Sequence, residues 1–396
     1  MTNSFGPRRR PAIPRIAATE FGGPQRAGML ILGPSLGTSV RALWEVAAER
    51  LAEHVYVVGW DLPGHGRSPT AESPFTIAEL AAAVVGLADD ITGGAQFHYS
   101  GVSIGGAVGL QLLLDAPHRV RTASLLCTAA VIGTVHDWKS RAATARTTGT
   151  SAVADSAADR WFAAGFRDRE PAVVSALINE LRRTDGTSYA QGCDVLANFD
   201  VTDRLTEITT PVLAIAGTAD RVTPPECLRQ IANGARVGWL EVLDRVGHLA
   251  PAEVPEQIAN LLIGHLRRGD ALYSAGMAMR REVLGDAHVE RAIATTTAFT
   301  ADFQDMITRN VWGGIWTRPG LDRRSRSLIT LTALIARGHH ADELAMHLRA
   351  ARRNGLTNDE IEELVLQLAL YCGVAAANSA FRIASQVLAD YDADQT

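Results

Sequence analysis

The apolar and polar positions along the chain change their rhythm twice. Over the first third, short apolar runs alternate with stretches of helical period: "GMLILGPS" predicts a strand, "SVRALWEVAAERLAE" a helix, and "HVYVVGWDLPGHG" a strand running into a loop. "TIAELAAAVVGLADDI" then predicts a helix, and "FHYSGVS" and "RTASLLCTAA" two further strands. This β-then-α order builds a parallel sheet covered by helices on both faces. From about residue 131 to 201 the pattern is helical and broken, and strand character returns at "TPVLAIAG" and "RVGWLEVL". A helical cap inserted between two parts of one sheet explains that order. Beyond about residue 268 strand patterns vanish, and "YSAGMAMRREVLG", "FTADFQDMITRNVWGGIW", "RRSRSLITLTALIARG", "ADELAMHLRAARRNG", "DEIEELVLQLALYCGV" and "AANSAFRIASQVLADY" all follow helical period. Thr357 with Glu360 is a capping-box signal, and Gly355 fits the position just past a helix end. The expected architecture is an α/β domain with an inserted cap over 1–266, followed by an all-α domain over 268–396.

Composition agrees with two cores: the chain has 396 residues, 47% hydrophobic and 20% charged. A net charge of -5 opposes nucleic acid as a partner, and Arg8, Arg9 and Arg10 read as a solvated terminus. No run approaches the roughly 18 apolar residues that span a bilayer, and the basic N-terminal stretch has no apolar segment behind it. A cytoplasmic protein without a membrane partner is expected. Cys127, Cys193, Cys227 and Cys372 show no paired spacing, so neither a disulfide framework nor a zinc site is indicated.

Gly101-Val102-Ser103-Ile104-Gly105 matches G-x-S-x-G, in which a serine occupies a strained strand-to-helix turn and small neighbours avoid the adjoining strand and helix. The pentapeptide alone is weak, since a glycine-flanked serine also suits an ordinary tight bend. Its context is stronger: a strand precedes it, a helix follows, and Asp220 and His248 come after it in the order Ser, Asp, His, each in a loop beyond a strand. A serine hydroxyl needs a base to take its proton, and a carboxylate fixes that base's tautomer. The bland alternatives are a helix cap for Asp220 and a surface loop for His248. The developing oxyanion needs two backbone donors, expected at Ile104 and at Leu36 in "LGPSLGTS".

These features resemble the α/β-hydrolase fold and, within it, the 3-oxoadipate enol-lactonases, from about residue 15 to 265. The resemblance rests on "LGPSLGTS" followed by "LWE", "DLPGHGRS", "GVSIGG", "IGTVHDWKSRAATAR", "AGTADRVTPP" and "GHLAPAEVPE". Where many esterases of this architecture carry His-Gly, this chain has Pro34-Ser35-Leu36-Gly37. The resemblance implies that Trp44, Trp138 and Arg141 face a small lactone and its carboxylate tail, which an arginine fork suits. Core packing for the tryptophans and a surface ion pair for Arg141 compete with that role.

Residues 270 to 392 resemble the 4-carboxymuconolactone decarboxylases, through runs such as "RREVLGDAHV" and "WTRPGLDRRSRSL". They also resemble the alkylhydroperoxidase D-like helical fold, but its Cys-x-x-Cys pair is absent and Cys372 has no nearby resolving partner, so thiol peroxidase chemistry is not expected. Decarboxylation beside the ring oxygen sends electrons through the ring double bond into the lactone carbonyl. The substrate is thus its own electron sink and no cofactor is called for. The resemblance favours His347 as the acid and Arg324 as a carboxylate anchor, against a plain interhelical histidine. His340, Glu343 and His347 also share a helical face that could hold a metal, although such spacing more often makes a solvated face, and no metal is expected.

Together the halves imply one enzyme for consecutive steps of protocatechuate breakdown, homo-oligomeric and acting on small lactone carboxylates. The alternatives are an ester hydrolase or a ligand receptor whose helical half only mediates assembly.

Overall fold

The computed structural model describes residues 13–297, 299–338 and 340–393, and the chain divides after Gly269 into two compact units. In the first, seven strands form one sheet: β1 (Ala18–Gly22), β2 (Met29–Gly33), β3 (Tyr56–Trp60), β4 (Phe97–Val102), β5 (Val120–Leu126), β6 (Val212–Gly217) and β7 (Gly238–Leu243). Their spatial order is β1-β3-β2-β4-β5-β6-β7, with β1 antiparallel to β3 and every other pair parallel. All residues of β2, β3 and β4 are buried. Both faces of the sheet's centre are therefore covered, which is why these segments read as continuous apolar runs. β1 escaped the sequence reading because "ATEFG" has no apolar run; pairing with Val57 to Trp60 of β3, not its own propensity, makes it a strand.

The chain leaves β2 for β3 on one side and returns to β4 on the other. In a parallel sheet that reversal opens a crevice at the carboxyl ends of the two inner strands, where loops can converge on a ligand. Over the crevice's sequence neighbourhood lies the cap, made of helices Val135–Thr148, Thr150–Ala154, Ala157–Trp161, Phe166–Arg169, Pro171–Arg183 and Gly186–Ala197, all between β5 and β6. The Val201 N–H donates to the Ala130 carbonyl at 3.2 Å, closing the insertion at its base.

The second unit is helical. Residues of the helix Pro255–Leu284 fall on both sides of the division, and Asp286–Ala294, Ala301–Met306, Arg323–Arg337, Ala341–Arg353, Asn358–Cys372 and Val374–Ala393 follow. Leu331, Leu348, Ile361 and Val365 centre one core, and Val283, Val289, Trp312 and Ala350 another. The capping box is present: Thr357 Oγ1 accepts from the Glu360 N–H at 3.1 Å, and Glu360 Oε2 from the Thr357 N–H at 2.9 Å. One helix differs from expectation, because Ile307–Trp316 is wound as a π-helix. It holds Gly313 and Gly314, and Gly313 lies against the Leu272 carbonyl while Gly276 lies against the carbonyl of Thr308. That backbone-to-backbone seam leaves no room for a Cβ at either glycine and accommodates the wider turn. Among the described residues no helix is long and apolar enough to cross a membrane, and all four cysteines are free.

Candidate active sites

Ser103 ends β4 and begins the helix Ile104–Asp115, with φ 56° and ψ -117°, a conformation that L-residues avoid. Its neighbours pin it there: the Ser103 N–H donates to the Leu126 carbonyl at 3.0 Å, and Thr128 Oγ1 donates to the Ser103 carbonyl at 2.7 Å. The glycines are a steric requirement. A Cβ at Gly105 would stand 2.5 Å from the Pro34 carbonyl oxygen, and one at Gly106 would stand 2.6 Å from the Thr128 Cβ. Gly105→Ala should therefore push backbone against backbone at a cost of about 3 kcal/mol. Calorimetry should show the first unit's melting midpoint falling by roughly 10 °C; an unchanged midpoint would mean the turn has slack the geometry does not show.

Asp220 and His248 meet beyond β6 and β7. His248 Nδ1 lies 2.9 Å from Asp220 Oδ2, and both side chains are buried. A carboxylate can only accept, so Nδ1 carries the proton and Nε2 is left free to take one. Asp220 also accepts from the N–H groups of Val222 and Thr223, at 2.8 and 3.0 Å, and from Thr223 Oγ1 at 2.8 Å. Burial alone would raise its pKa, but the charge and hydrogen bond of His248, with the Thr223 bonds, hold it below the ordinary carboxylate value. Neither the helix-cap reading of Asp220 nor the surface reading of His248 describes this pair.

The histidine loop is tied to the cap. The His248 N–H donates to the Trp161 carbonyl at 2.8 Å, and Glu253 Oε1 accepts from the N–H groups of Gly247 and Ala163, both at 3.1 Å. Sequence reasoning passed over Glu253, whose only signal was an acid five residues beyond the histidine.

The loop after β2 is tied down in the same way. Thr38 Oγ1 donates to the Ser35 carbonyl at 2.9 Å, and Gly37, with φ +87°, sits where a Cβ would meet Leu181 of the cap at 2.7 Å. Gly192 packs against the Leu36 side chain from above, a Cβ there standing 2.5 Å from Leu36 Cδ1. Among the described residues, no acceptor in the protein takes the backbone N–H of Leu36 or of Ile104. Two such donors at the crevice suit a developing oxyanion. "DLPGHGRS" braces the same region: Asp61 Oδ1 accepts from the Val40 N–H at 2.7 Å and Oδ2 from the Arg67 N–H at 2.9 Å.

A cleft of about 370 Å³ opens beside Val222 and is lined by Trp138, Arg141, Arg160, Arg221 and Gly133. Trp138 is buried, its indole N–H donating to the Ile132 carbonyl, and the Arg141 guanidinium lies 4.6 Å from its ring centroid. No carboxylate among the described residues lies within 4 Å of Arg141, Arg160 or Arg221. Burial lowers the pKa of Arg160, and the charge of Arg141 lowers it further. Three guanidinium groups against the single lining carboxylate, Asp137, leave the cleft an excess of positive charge that suits an anion. Arg160 and Arg221 were not anticipated, since neither an arginine in a broken helical stretch nor one in the loop after β6 carries a signal of where it points. Trp44, expected against substrate, is instead fully buried, its indole N–H spent on the Gly33 carbonyl at 3.0 Å. It supports the crevice from the core.

In the helical unit, Arg324 forms an ion pair with Glu360 on the surface and is not brought together with His347 by any described contact. Its charge is met there by a carboxylate of the protein, and no described contact places it at a substrate site as expected of a carboxylate anchor. His347 is half-buried; burial, then the charge of His288, depress its pKa to about 4, while Glu343 opposes the shift. His340 precedes the helix Ala341–Arg353 without a side-chain capping bond, and no group of three or more metal-binding side chains occurs among the described residues. A cleft of about 910 Å³ is lined by His288, Arg291, Asp342, Arg349 and Arg353, together with Met346 and the turn at Gly285.

Comparison with known proteins follows the same division. The model of the alpha/beta hydrolase family matches residues 30–261, and that of the carboxymuconolactone decarboxylase family matches residues 301–386. 3-Oxoadipate enol-lactonase 2 of Acinetobacter baylyi is 32% identical over 239 residues, 60% of this chain and 88% of that protein. 4-Carboxymuconolactone decarboxylase of the same organism is 48% identical over 118 residues, 30% of this chain and 87% of that protein. Among solved structures, the enol-lactonase from Burkholderia xenovorans LB400 superposes with a TM-score of 0.60 at 29% identity, covering 64% of this chain and 96% of that one.

Proposed function

Because the chain belongs to the alpha/beta hydrolase family in its first unit and to the carboxymuconolactone decarboxylase family in its second, we propose that one polypeptide performs two consecutive reactions. The helical unit decarboxylates 4-carboxymuconolactone to 3-oxoadipate enol-lactone, and the first unit hydrolyses that lactone to 3-oxoadipate. The observation that carries the reading is the pairing itself, since loss of carbon dioxide from the lactone named for one relative, with the double bond shifted, leaves an enol-lactone of the kind named for the other. A helical unit serving only assembly is not favoured, because that unit is homologous to a decarboxylase.

In the hydrolase unit, His248 Nε2 takes the Ser103 hydroxyl proton as Oγ attacks the lactone carbonyl. The Leu36 and Ile104 N–H groups receive the oxyanion, and Asp220 stabilises the imidazolium. Collapse expels the enol oxygen, a good leaving group, and leaves an acyl-enzyme that water, activated by His248, hydrolyses. Arg141 and Arg160 hold the acetate tail. Arg141→Met and Arg160→Met should each raise KM for the enol-lactone by about tenfold to a hundredfold, the value of one charge-assisted contact. KM for the corresponding neutral methyl ester should not move; equal loss for both substrates would assign these arginines to folding. Self-association rests on the helical unit's exposed apolar side chains, among them Leu366, Leu370, Tyr371 and Val374.

Supplying the two lactones separately to the purified protein tests the reading. Ultraviolet absorbance should show both consumed, whereas a protein inert toward either one lacks that half of the function.

A further inference from the structure

We propose that the cleft beside His288 is the reaction centre of the helical unit, with Arg280, Arg291 and Arg353 holding the substrate carboxylates and His288 delivering the proton. The inference rests on the decarboxylase reading above and replaces Arg324 and His347 as its principal groups.

The first observation is an unmatched buried charge. Arg280 is only 5% exposed, yet it donates to two neutral partners, Thr308 Oγ1 at 3.3 Å and Gln304 Oε1 at 2.8 Å, and its Nε has no partner. Among the described residues no carboxylate lies within 4 Å of it. A buried cation without counter-charge is costly, and an anion bound beside it would supply the missing partner.

The second is the wall of the cleft. Among the described residues Arg291 and Arg349 have no carboxylate within ion-pair distance, although Asp342 lines the same cleft, and Arg353 Nη1 donates to the Val283 carbonyl at 3.5 Å. Arg281, by contrast, is matched by Asp286 at 3.2 Å and Glu290 at 2.7 Å. Gly285 shapes the wall: at φ +87° it turns the chain into the helix Asp286–Ala294, and a Cβ there would stand 2.7 Å from Arg353 Nη2. That turn sets His288 in the helix's first turn, facing the cleft; Arg280 and His347 stand behind the lining residues, each close enough for its charge to be felt at or from His288.

The groups around His288 are cationic. Burial lowers its pKa, and Arg280, Arg291 and Arg353 lower it further; His347 stands on the same side, and the acids nearby are the paired Asp286 and the exposed Asp342 and Glu343. In the empty protein His288 is neutral near pH 7. A substrate with two carboxylates neutralises those guanidinium charges and so favours the imidazolium. The proton then arrives with the substrate. As the bond from the ring carbon to its carboxylate breaks, carbon dioxide leaves and the electron pair moves through the ring double bond onto the lactone carbonyl oxygen. The dienolate takes the His288 proton at the carbon next to the carbonyl, and the imidazole recovers a proton from solvent. One proton is consumed per carbon dioxide released.

Steady-state decarboxylation by the full chain tests this. With wild-type protein active on 4-carboxymuconolactone, His288→Gln should lower kcat at least about a hundredfold with KM within about threefold, and Arg280→Met should raise KM at least about tenfold. Added imidazole should restore part of the rate of His288→Ala, which a merely structural histidine would not allow. Enol-lactone hydrolysis by the same preparations should be unchanged. Wild-type protein that leaves 4-carboxymuconolactone intact defeats the decarboxylase reading itself. Active wild type with His288→Gln within threefold of it, or loss of turnover confined to His347→Gln, overturns the assignment. Should His288→Ala fail to fold, the glutamine variant decides.

Discussion

Ser103→Ala should stop hydrolysis of 3-oxoadipate enol-lactone, lowering kcat by about 10⁴-fold or more, while 4-carboxymuconolactone is consumed at the wild-type rate. The intermediate should accumulate, and the ultraviolet trace should plateau at its spectrum. The size of the loss follows from the chemistry: without Oγ there is no acyl-enzyme, and His248 has no positioned nucleophile to activate. The oxyanion donors survive, so a residual rate above that in water remains. Selectivity follows from the division of the chain, because Ser103 belongs to the first unit and the decarboxylase family model matches residues 301–386, within the second. The substitution itself should fold, since the strained φ of 56° is imposed by the Leu126 and Thr128 bonds to the Ser103 backbone, not by its side chain. A variant that still yields 3-oxoadipate at the wild-type rate would remove Ser103 from the mechanism.

Asp220→Asn should cost a similar factor, about 10⁴ in kcat for the enol-lactone, with KM little altered. An amide in that place can donate to Nδ1, which moves the imidazole proton to Nε2 and turns the base toward Ser103 the wrong way. The variant also separates stability from catalysis. Asp220 is held below the ordinary carboxylate value in the fold. Its ionised form therefore stabilises the native state above the unfolded carboxylate pKa, and that contribution is lost as pH falls through the depressed native value. The wild-type melting midpoint should thus fall with acid across that window more steeply than the variant's. Equal slopes would show that Asp220 ionisation is not linked to folding, and an active asparagine variant would show that its carboxylate does not set the tautomer.

The strained turn at Ser103 and the meeting of Asp220 with His248 were legible because strand, turn and helix must follow one another for the geometry to exist, and that order is written along the chain. The same logic pointed to Ile104 and Leu36, whose N–H groups meet no acceptor among the described residues. Legibility ended where function depends on what a side chain meets in space. Trp44 and Trp138 look alike in sequence, yet the Gly33 carbonyl claims one indole inside the core while the other floors a cleft beside Arg141. Arg324 carries the same charge as Arg280, but Glu360 neutralises the first and only neutral groups meet the second. Glu253 gave almost no signal because its task, joining the histidine loop to the cap through two backbone N–H groups, exists only once both are folded. β1 was missed for the related reason that an edge strand can be made by its partner.

Supplying 4-carboxymuconolactone alone to the purified full-length chain and following carbon atoms by ¹³C NMR tests the central claim most directly. The account predicts one equivalent of carbon dioxide and complete conversion to 3-oxoadipate, through a transient enol-lactone, with no second protein added. Persistence of the starting lactone, or an enol-lactone that forms and is never opened, would contradict it.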